Sequence, residues 1–122
     1  MSTLEEGRTR DVCGDPEPRG DRVQQLRERI LEVAGLSELF RVLADETRAK
    51  ILYLLAQEEL CVHTLAEILD LTLPAISHHL RLLKIMRLVR YRRDGKHVYY
   101  TLADEHVLRL IQVAQDHYEE ER

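Results

Sequence analysis

The feature that most constrains the fold of this chain is a pair of short helical patterns between residues 62 and 84. The first covers 62–69 and ends in the turn 70–72. Thr72 is placed to cap the second helix, and Pro74 falls in its first turn, where a proline is tolerated. The apolar side chains of that helix, Ile76, Leu80 and Leu83, share one stripe that can pack on a core. This pattern predicts a helix-turn-helix.

The opposite stripe of the second helix is short, polar and finally basic. It consists of Pro74, Ser77, His78 and Arg81. Side chains of this kind, together with the cap at Thr72, suit a helix that enters the major groove of DNA and contacts base edges. A helical hairpin with a merely solvated outer face would show the same pattern, so both interpretations stay open at this point.

A β-hairpin is predicted directly after this helix. Residues 88–93 and 96–102 alternate apolar and polar side chains around Asp94-Gly95, a common two-residue turn. Its exposed tip is cationic, with Arg92, Arg93 and Lys96. A basic hairpin beside a recognition helix can reach the phosphate backbone next to the groove, as a wing does. The expected fold is therefore α+β, mainly α: a winged helix-turn-helix with a two-stranded wing.

The charge distribution supports a nucleic-acid partner although the net charge is −4. The segment 81–96 holds the cations Arg81, Lys84, Arg87, Arg90, Arg92, Arg93 and Lys96 against the single acid Asp94. From residue 104 onward acids predominate. A basic block of this kind is the electrostatic footprint of phosphate binding.

The length of 122 residues fits one compact domain with a tail. Residues 1–20, which carry three glycines and two prolines, are expected to form a flexible arm before a domain over 21–122. A helix is predicted from about Asp21 to Ala34, a short one over 38–43 capped by Ser37, and a third capped by Asp45. The chain has no apolar run that could span a membrane and no signal-peptide pattern, so a cytoplasmic location is expected.

Four potential metal ligands flank the last predicted helix. They are Asp104, His106, His117 and Glu120, on either side of an amphipathic pattern over 107–118. The two histidines are eleven residues apart, so they share a face but lie about 16 Å apart along the axis. Ligands of one zinc ion lie only a few ångströms apart. One helix cannot close such a site, whereas two antiparallel copies could, with two equivalent sites in a homodimer.

A simpler interpretation of the same four residues is a solvated helix face, with Asp104 as its N-cap. Taken singly, each residue fits that description better than ligation. As a set they fit ligation about equally well, because His117 and Glu120 are helical neighbours and Asp104 can turn toward His106.

The order of these pieces resembles the ArsR/SmtB family of metal-sensing repressors, over about residues 36–120. The motifs that carry the resemblance are FRVLADETRAKIL (40–52), ELCVHTLA (59–66), ISHHLRLL (76–83) and GKHVYYTL (95–102). The set Asp104, His106, His117 and Glu120 is similar to the C-terminal-helix site of zinc-sensing members at all four positions.

This resemblance implies a winged helix-turn-helix homodimer that is joined through its first and last helices. It also implies a protein that binds double-stranded operator DNA, represses genes for metal efflux or sequestration, and is released by metal. Zn(II) is the regulatory ligand that it indicates, with Cd(II), Co(II) or Cu(I) as further candidates.

A second metal site is expected around Cys61, where cysteine-based family members carry ligands at the start of a helix. Cys61 matches that position, His63 stands where some relatives have a second thiol, and Thr64 replaces the usual carboxylate. Cys13 on the arm could reach Cys61 of the partner subunit, and two thiolates with an imidazole would suit Zn(II), Cd(II) or Cu(I). A buried structural Cys61 and a solvent-facing Cys13 explain the sequence equally well. His97 is expected to be a packing or hydrogen-bonding residue of the wing.

Two other functions are weighed against the zinc-released repressor. A repressor that senses thiol oxidation, heavy metals or Cu(I) through Cys13 and Cys61 is the main alternative. A zinc-dependent hydrolase is disfavoured, because two imidazoles and two carboxylates fill a tetrahedron and leave no position for a catalytic water. The chain is therefore not expected to be an enzyme, and a metal store would not need a basic wing.

Overall fold

The structure is a computed structural model that describes residues 19–120. The expected arm before residue 19, including Cys13, lies outside the described residues. The chain divides into two compact units at the junction of Ser37 and Glu38. Each unit is described by itself below.

The first unit is helical in its described part. Helix α1 spans Arg19–Arg29 and continues as a single 3₁₀ turn, Ile30–Val33. The predicted helix therefore exists, but it starts two residues earlier than expected and tightens before its end.

The second unit combines helices with a small sheet. Its helices are α2 (Leu36–Leu43, which starts in the first unit), α3 (Glu46–Gln57), α4 (Val62–Leu69), α5 (Leu73–Ile85) and α6 (Glu105–Glu120), and its strands are β1 (Leu60–Cys61), β2 (Val89–Asp94) and β3 (His97–Leu102). None of the helices within 19–120 combines the length and the hydropathy needed to cross a membrane.

Side-chain caps define the N-termini of α3 and α5. The Asp45 carboxylate accepts a hydrogen bond of 3.0 Å from the backbone N–H of Arg48, at the start of α3. The Thr72 hydroxyl accepts one of 3.2 Å from the N–H of Ala75, at the start of α5. Both predicted caps are confirmed. The predicted cap at Ser37 is wrong, because α2 already begins at Leu36.

The core of the second unit lies where α3, α4 and α5 pack together. Its most deeply buried side chains are Ile51, Leu52, Leu65, Ile76, Leu80 and Leu83. The last three form the predicted inward stripe of α5, which is confirmed. Truncating a side chain buried this completely costs about 2–5 kcal/mol, so the core fixes the orientation of α5 firmly.

The hairpin is joined by a third strand that the sequence did not predict. The antiparallel sheet has the order β1-β3-β2, in which Leu60 pairs with Tyr100 and Cys61 with Tyr99. Strand β1 has only two residues, too few to show an alternating pattern.

The wing turn lies one residue later than the sequence suggested. Asp94 pairs with His97, so Gly95 and Lys96 form the turn. Gly95 adopts a φ of +65°, which glycine accepts without steric cost and other residues resist.

Candidate metal and DNA-binding sites

The outer face of α5 is the first candidate surface. Pro74, Ser77, His78 and Arg81 are all exposed, while the apolar stripe behind them is buried. Thr72 is also exposed at the N-terminus of the helix, and its hydroxyl oxygen is occupied by the cap. The helix therefore presents short polar groups first and a cation one turn later.

A basic groove runs between α5 and the wing. It encloses about 280 Å³ and is lined by Ser77, Lys84, Tyr91, Arg93, Lys96 and Tyr100, among others. The ammonium of Lys84 lies 4.5 Å from the centroid of the Tyr91 ring, and the guanidinium of Arg93 lies 5.6 Å from the same centroid. Cations held over an aromatic face in this way are positioned rather than freely solvated.

Lys84 is a groove residue that the sequence analysis did not single out. It belongs to the basic run, but no local pattern separated it from its neighbours. The pairing of β2 with β3 places Tyr91 beside Tyr100, with ring centroids 5.6 Å apart, and so brings Tyr91 under Lys84. Burial raises the pKa of Tyr100, which keeps its hydroxyl neutral.

Arg92 differs from the other cations of the wing. Its guanidinium donates two hydrogen bonds of 2.8 Å to the two carboxylate oxygens of Glu59 and lies 4.6 Å from the Tyr99 ring centroid. The hydrogen bond to Arg92 lowers the pKa of Glu59, and the same bond raises the pKa of Arg92. The charge of Arg92 is thus paired within the protein, whereas Arg93 and Lys96 line the groove.

A polar cluster ties α5 to α3 beneath the recognition surface. Arg48 donates from Nε to the carbonyl of Val42 at 2.8 Å, and its Nη1 lies 3.3 Å from His79 Nδ1. His79 Nδ1 also lies 3.9 Å from the Asp45 carboxylate. Burial lowers the pKa of His79, an effect that Asp45 opposes and Arg48 reinforces.

The four ligand candidates of α6 lie at its two ends. Asp104 Oδ1 accepts a hydrogen bond of 3.0 Å from the N–H of Val107 and lies 3.6 Å from His106 Nδ1. His117 and Glu120 follow at the other end, roughly 16 Å along the axis from His106. All four side chains are exposed. Asp104 therefore acts as an N-cap, and ligation by the set stays a prediction.

A second group of ligand atoms is closed within one chain. Cys61 Sγ lies 3.8 Å from His63 Nδ1 and 3.7 Å from His97 Nδ1. Within residues 19–120, this is the one group of three or more such side chains whose ligand atoms all lie within 4.8 Å of one another. The sequence had linked Cys61 and His63 but assigned His97 to the wing alone.

The fold and these surfaces define a class of protein. A helix-turn-helix with an exposed polar recognition face, followed by a basic hairpin, is a winged-helix DNA-binding regulator. Residues 45–91 match the family model described as "Bacterial regulatory protein, arsR family". Together with the relatives below, this match shows that the chain belongs to the ArsR/SmtB family of metal-sensing repressors.

Known relatives cover most of the chain. A transcriptional repressor SmtB homolog of Synechocystis sp. is 38% identical over 112 residues, which are 89% of this chain and 85% of that protein. A cadmium resistance transcriptional regulatory protein CadC homolog of Staphylococcus aureus is 39% identical and spans 92% of this chain and 95% of its own. The chain is accordingly a metal-responsive transcriptional repressor and not an enzyme.

Solved structures agree on the fold. The homodimeric winged helix-turn-helix DNA-binding domain of Mb0332 from Mycobacterium bovis superposes with a TM-score of 0.71 at 33% identity. The match covers 76% of this chain and 86% of that domain. The predicted fold class is confirmed, with the addition of strand β1.

Proposed function

We propose that this repressor binds operator DNA as a metal-free homodimer and that Zn(II) releases it. Asp104 and His106 of one protomer and His117 and Glu120 of the other would hold each ion, and the genes controlled would serve metal efflux or sequestration. The observation that carries the proposal is the separation of the two ligand pairs along one exposed helix. The proposal includes a cytoplasmic location, because the operator lies there.

The ligand set suits zinc chemically. Two imidazoles and two carboxylates are borderline and hard donors that Zn(II) accepts in a four-coordinate closed site. Co(II) can occupy the same donors as a probe, whereas Cu(I) and Cd(II) favour sulfur more strongly. A closed site of this kind has a structural or regulatory role, since it leaves no position for a substrate.

Exposed apolar side chains support a dimer through the first and last helices. Val113 and Tyr118 on α6 are 64% and 56% exposed. In the first unit, Ile30 and Leu31 are 65% and 73% exposed. Apolar surface of this extent on two helices is stabilised when a second copy covers it.

DNA binding in this proposal divides between two surfaces. Ser77, His78 and Arg81, with Thr72 and Pro74 at the helix start, would face base edges. Arg93 and Lys96 of the wing, with Lys84 beside them, would contact phosphates, and Arg92 would join them if Glu59 released it. Each phosphate contact steepens the salt dependence of binding by roughly 0.9 in log–log slope.

Release would follow from dimer geometry. Two recognition helices enter successive major grooves only when they lie about 34 Å apart, one turn of DNA. A zinc ion bound by residues of both α6 helices would fix the angle between the protomers. Zinc and DNA then favour different angles, so each ligand weakens the binding of the other; the coupling free energy between them is unfavourable.

The test uses an operator selected from random duplex DNA with the metal-free protein. We expect nanomolar affinity, weakened at least tenfold by zinc, which is about 1.4 kcal/mol of coupling. His117→Gln and Glu120→Gln should lose the zinc effect and keep metal-free binding. Glu119→Gln is the matched control, because it removes the neighbouring carboxylate, which accepts a hydrogen bond from Gln115.

Three results would count against the proposal. Operator affinity that zinc leaves unchanged would exclude zinc release. Loss of metal-free DNA binding in Glu120→Gln would make that end of α6 structural. Release by oxidant together with indifference to zinc would favour the thiol-based sensor that uses Cys13 and Cys61.

For the DNA surface, Arg93→Ala and Lys96→Ala should weaken binding to all sequences and each lower the salt slope by about one. Arg81→Ala should instead relax the preference for particular base pairs. Arg109→Ala, which removes an exposed cation of α6, is the control and should leave the slope unchanged.

A further inference from the structure

We propose that Cys61, His63 and His97 form a metal site inside a single protomer, which joins the first helix of the helix-turn-helix to the wing. The site takes a thiophilic, borderline divalent ion of the zinc type. It differs from the α6 site in its donors, its location and its independence of a second chain, and it does not rest on the zinc-release proposal.

The distances fit coordination of one ion. Zinc–sulfur bonds of about 2.3 Å and zinc–nitrogen bonds of about 2.05 Å at a tetrahedral angle separate the sulfur and nitrogen by roughly 3.6 Å. The distances from Cys61 Sγ to the two Nδ1 atoms are 3.8 Å and 3.7 Å. Both sulfur–nitrogen distances are close to that value, and all three ligand atoms lie within 4.8 Å of one another.

The fold itself assembles the three ligands. Cys61 ends β1 and is the N-cap residue of α4, and His63 follows in the first turn of that helix. Cys61 pairs with Tyr99 on β3, and His97 lies two residues before Tyr99, on the same face of the strand. The pairing of β1 with β3 thus brings together two ligands that are 36 positions apart in sequence.

The surroundings suit ion entry. Cys61 is 8% exposed and forms the floor of the group, while His63 and His97 are exposed above it. The thiol would release its proton to solvent as the thiolate binds the ion, and both imidazoles would bind in their neutral form. Three protein ligands leave a fourth position, which water or another donor can fill.

Hydrogen bonding alone explains the group less completely. One S–H can donate to one imidazole nitrogen, so the second imidazole must donate to sulfur, which is a weak acceptor. A metal ion would bind the sulfur and both imidazole nitrogens at the same time. It would also clamp His97, the first residue of β3, at the base of the wing turn.

The experiment titrates Co(II) into the protein in a Cys13→Ser background, which leaves Cys61 as the single thiol of the chain. A thiolate bound to Co(II) gives an intense charge-transfer band in the near ultraviolet. The α6 set contains no sulfur and cannot give this band. We expect the band to saturate at one Co(II) per chain.

Substitutions then assign the ligands. Cys61→Ser should abolish the band, and His97→Gln and His63→Gln should each weaken Co(II) binding at least tenfold. His106→Gln is the matched control, because it removes an imidazole from the other site and should leave the thiolate band intact. Circular dichroism checks that each variant is folded, and the exposed positions of His63 and His97 make those variants the decisive ones.

A second measurement reports on the wing. Metal should slow amide hydrogen exchange over residues 94–98 in the Cys13→Ser protein and leave it unchanged in the His97→Gln variant. The proposal is overturned by the absence of a thiolate band in the Cys13→Ser protein. It is equally overturned by a band of unchanged affinity in His97→Gln. Neither result bears on zinc release through α6, which is measured with DNA.

Discussion

The two candidate metal sites differ in how the chain brings their ligands together. Strand pairing closes the Cys61 group within one protomer, so its three ligand atoms lie within 4.8 Å of one another. The α6 set lies along a straight helix, whose ends no local contact can join. A sheet can therefore build a site from residues distant in sequence, whereas a helix with ligands at both ends calls for a second copy.

The difference has a functional side. An ion at Cys61 would act on the wing of its own protomer, close to DNA. An ion at α6 would act on the relation between protomers and reach DNA through the dimer angle. With both proposed sites occupied, the protein would respond to metal within each protomer and between protomers, with a thiolate ligand in the first site and carboxylate ligands in the second.

The largest expected effect comes from heterodimers of two variants, each of which lacks one ligand pair of the α6 site. In a Cys61→Ser background, the double variants D104N/H106Q and H117Q/E120Q should each lose zinc binding at α6. A heterodimer of the two contains one intact set and should recover about half of the zinc capacity. Equilibrium dialysis of the tagged heterodimer measures this, and no recovery would mean that the sites are not shared between chains.

The same design applied to the other site should give the opposite result. In the Cys13→Ser background, mixing Cys61→Ser with His97→Gln chains should restore no Co(II)–thiolate band of the affinity seen with Cys13→Ser alone, because all three ligands must belong to one chain. Recovery of the band would show that the Cys61 group is shared between protomers.

The two sites should also differ in how metal-induced thermal stabilisation depends on protein concentration. Free metal at about 100 times its Kd stabilises a folded protein by about 2.7 kcal/mol. Zinc bound at α6 should make the thermal midpoint depend more steeply on protein concentration, since it links two chains. In a His117→Gln variant only the Cys61 group remains, and its stabilisation should not vary with protein concentration. Calorimetry over a hundredfold range of concentration measures both.

Asp104 can be tested for its two roles separately. Asparagine is as good an N-cap as aspartate, so Asp104→Asn should keep the stability of α6 while weakening zinc binding. Asp104→Ala removes the bond to the Val107 N–H as well and should cost about 1 kcal/mol of unfolding free energy. Urea unfolding of the metal-free variants gives the comparison. Equal zinc affinity in wild type and Asp104→Asn would remove Asp104 from the ligand set.

The smallest expected effect is an acid response that belongs to neither metal site. Burial lowers the pKa of His79 below 6.5, so the unfolded chain binds this proton more readily than the folded one. The resulting stability is complete above about pH 6.5 and declines as the pH falls through 6.5 toward the lower folded value. Urea midpoints in a chelator should show this decline as the pH falls below about 6.5.

His79→Gln should flatten that decline, while His78→Gln, at the exposed neighbouring position, should keep most of it. An unchanged slope in His79→Gln would assign the acid response to other groups. This control matters for both sites, because acid also displaces metal from imidazoles.

Local signals made most of the fold predictable. The caps at Asp45 and Thr72, the apolar stripe of α5 and the wing hairpin each depend on residues close in sequence. The turn was misplaced by one position, because Asp94-Gly95 and Gly95-Lys96 are both acceptable pairs until the ladder fixes the partner of His97. Ser37 failed as a cap for a similar reason, since α2 extends one residue before it.

The parts that escaped prediction depend on long-range pairing. Strand β1 is too short to show a pattern, and without it nothing connects His97 to Cys61. The position of Lys84 in the groove depends on its contact with Tyr91, which the sheet places beneath the ammonium group. The α6 set was visible from spacing alone, because its four residues lie within one helix or directly beside it.

The carboxylate of Glu59 would compete with a DNA phosphate for the guanidinium of Arg92. Two carboxylate oxygens hold the guanidinium in the forked geometry that a phosphate would use. A phosphate that binds the same Nε and Nη2 groups of Arg92 would have to displace Glu59. If the wing contacts DNA as proposed, this competition would lower the contribution of Arg92 to phosphate binding relative to that of Arg93 and Lys96, which line the groove.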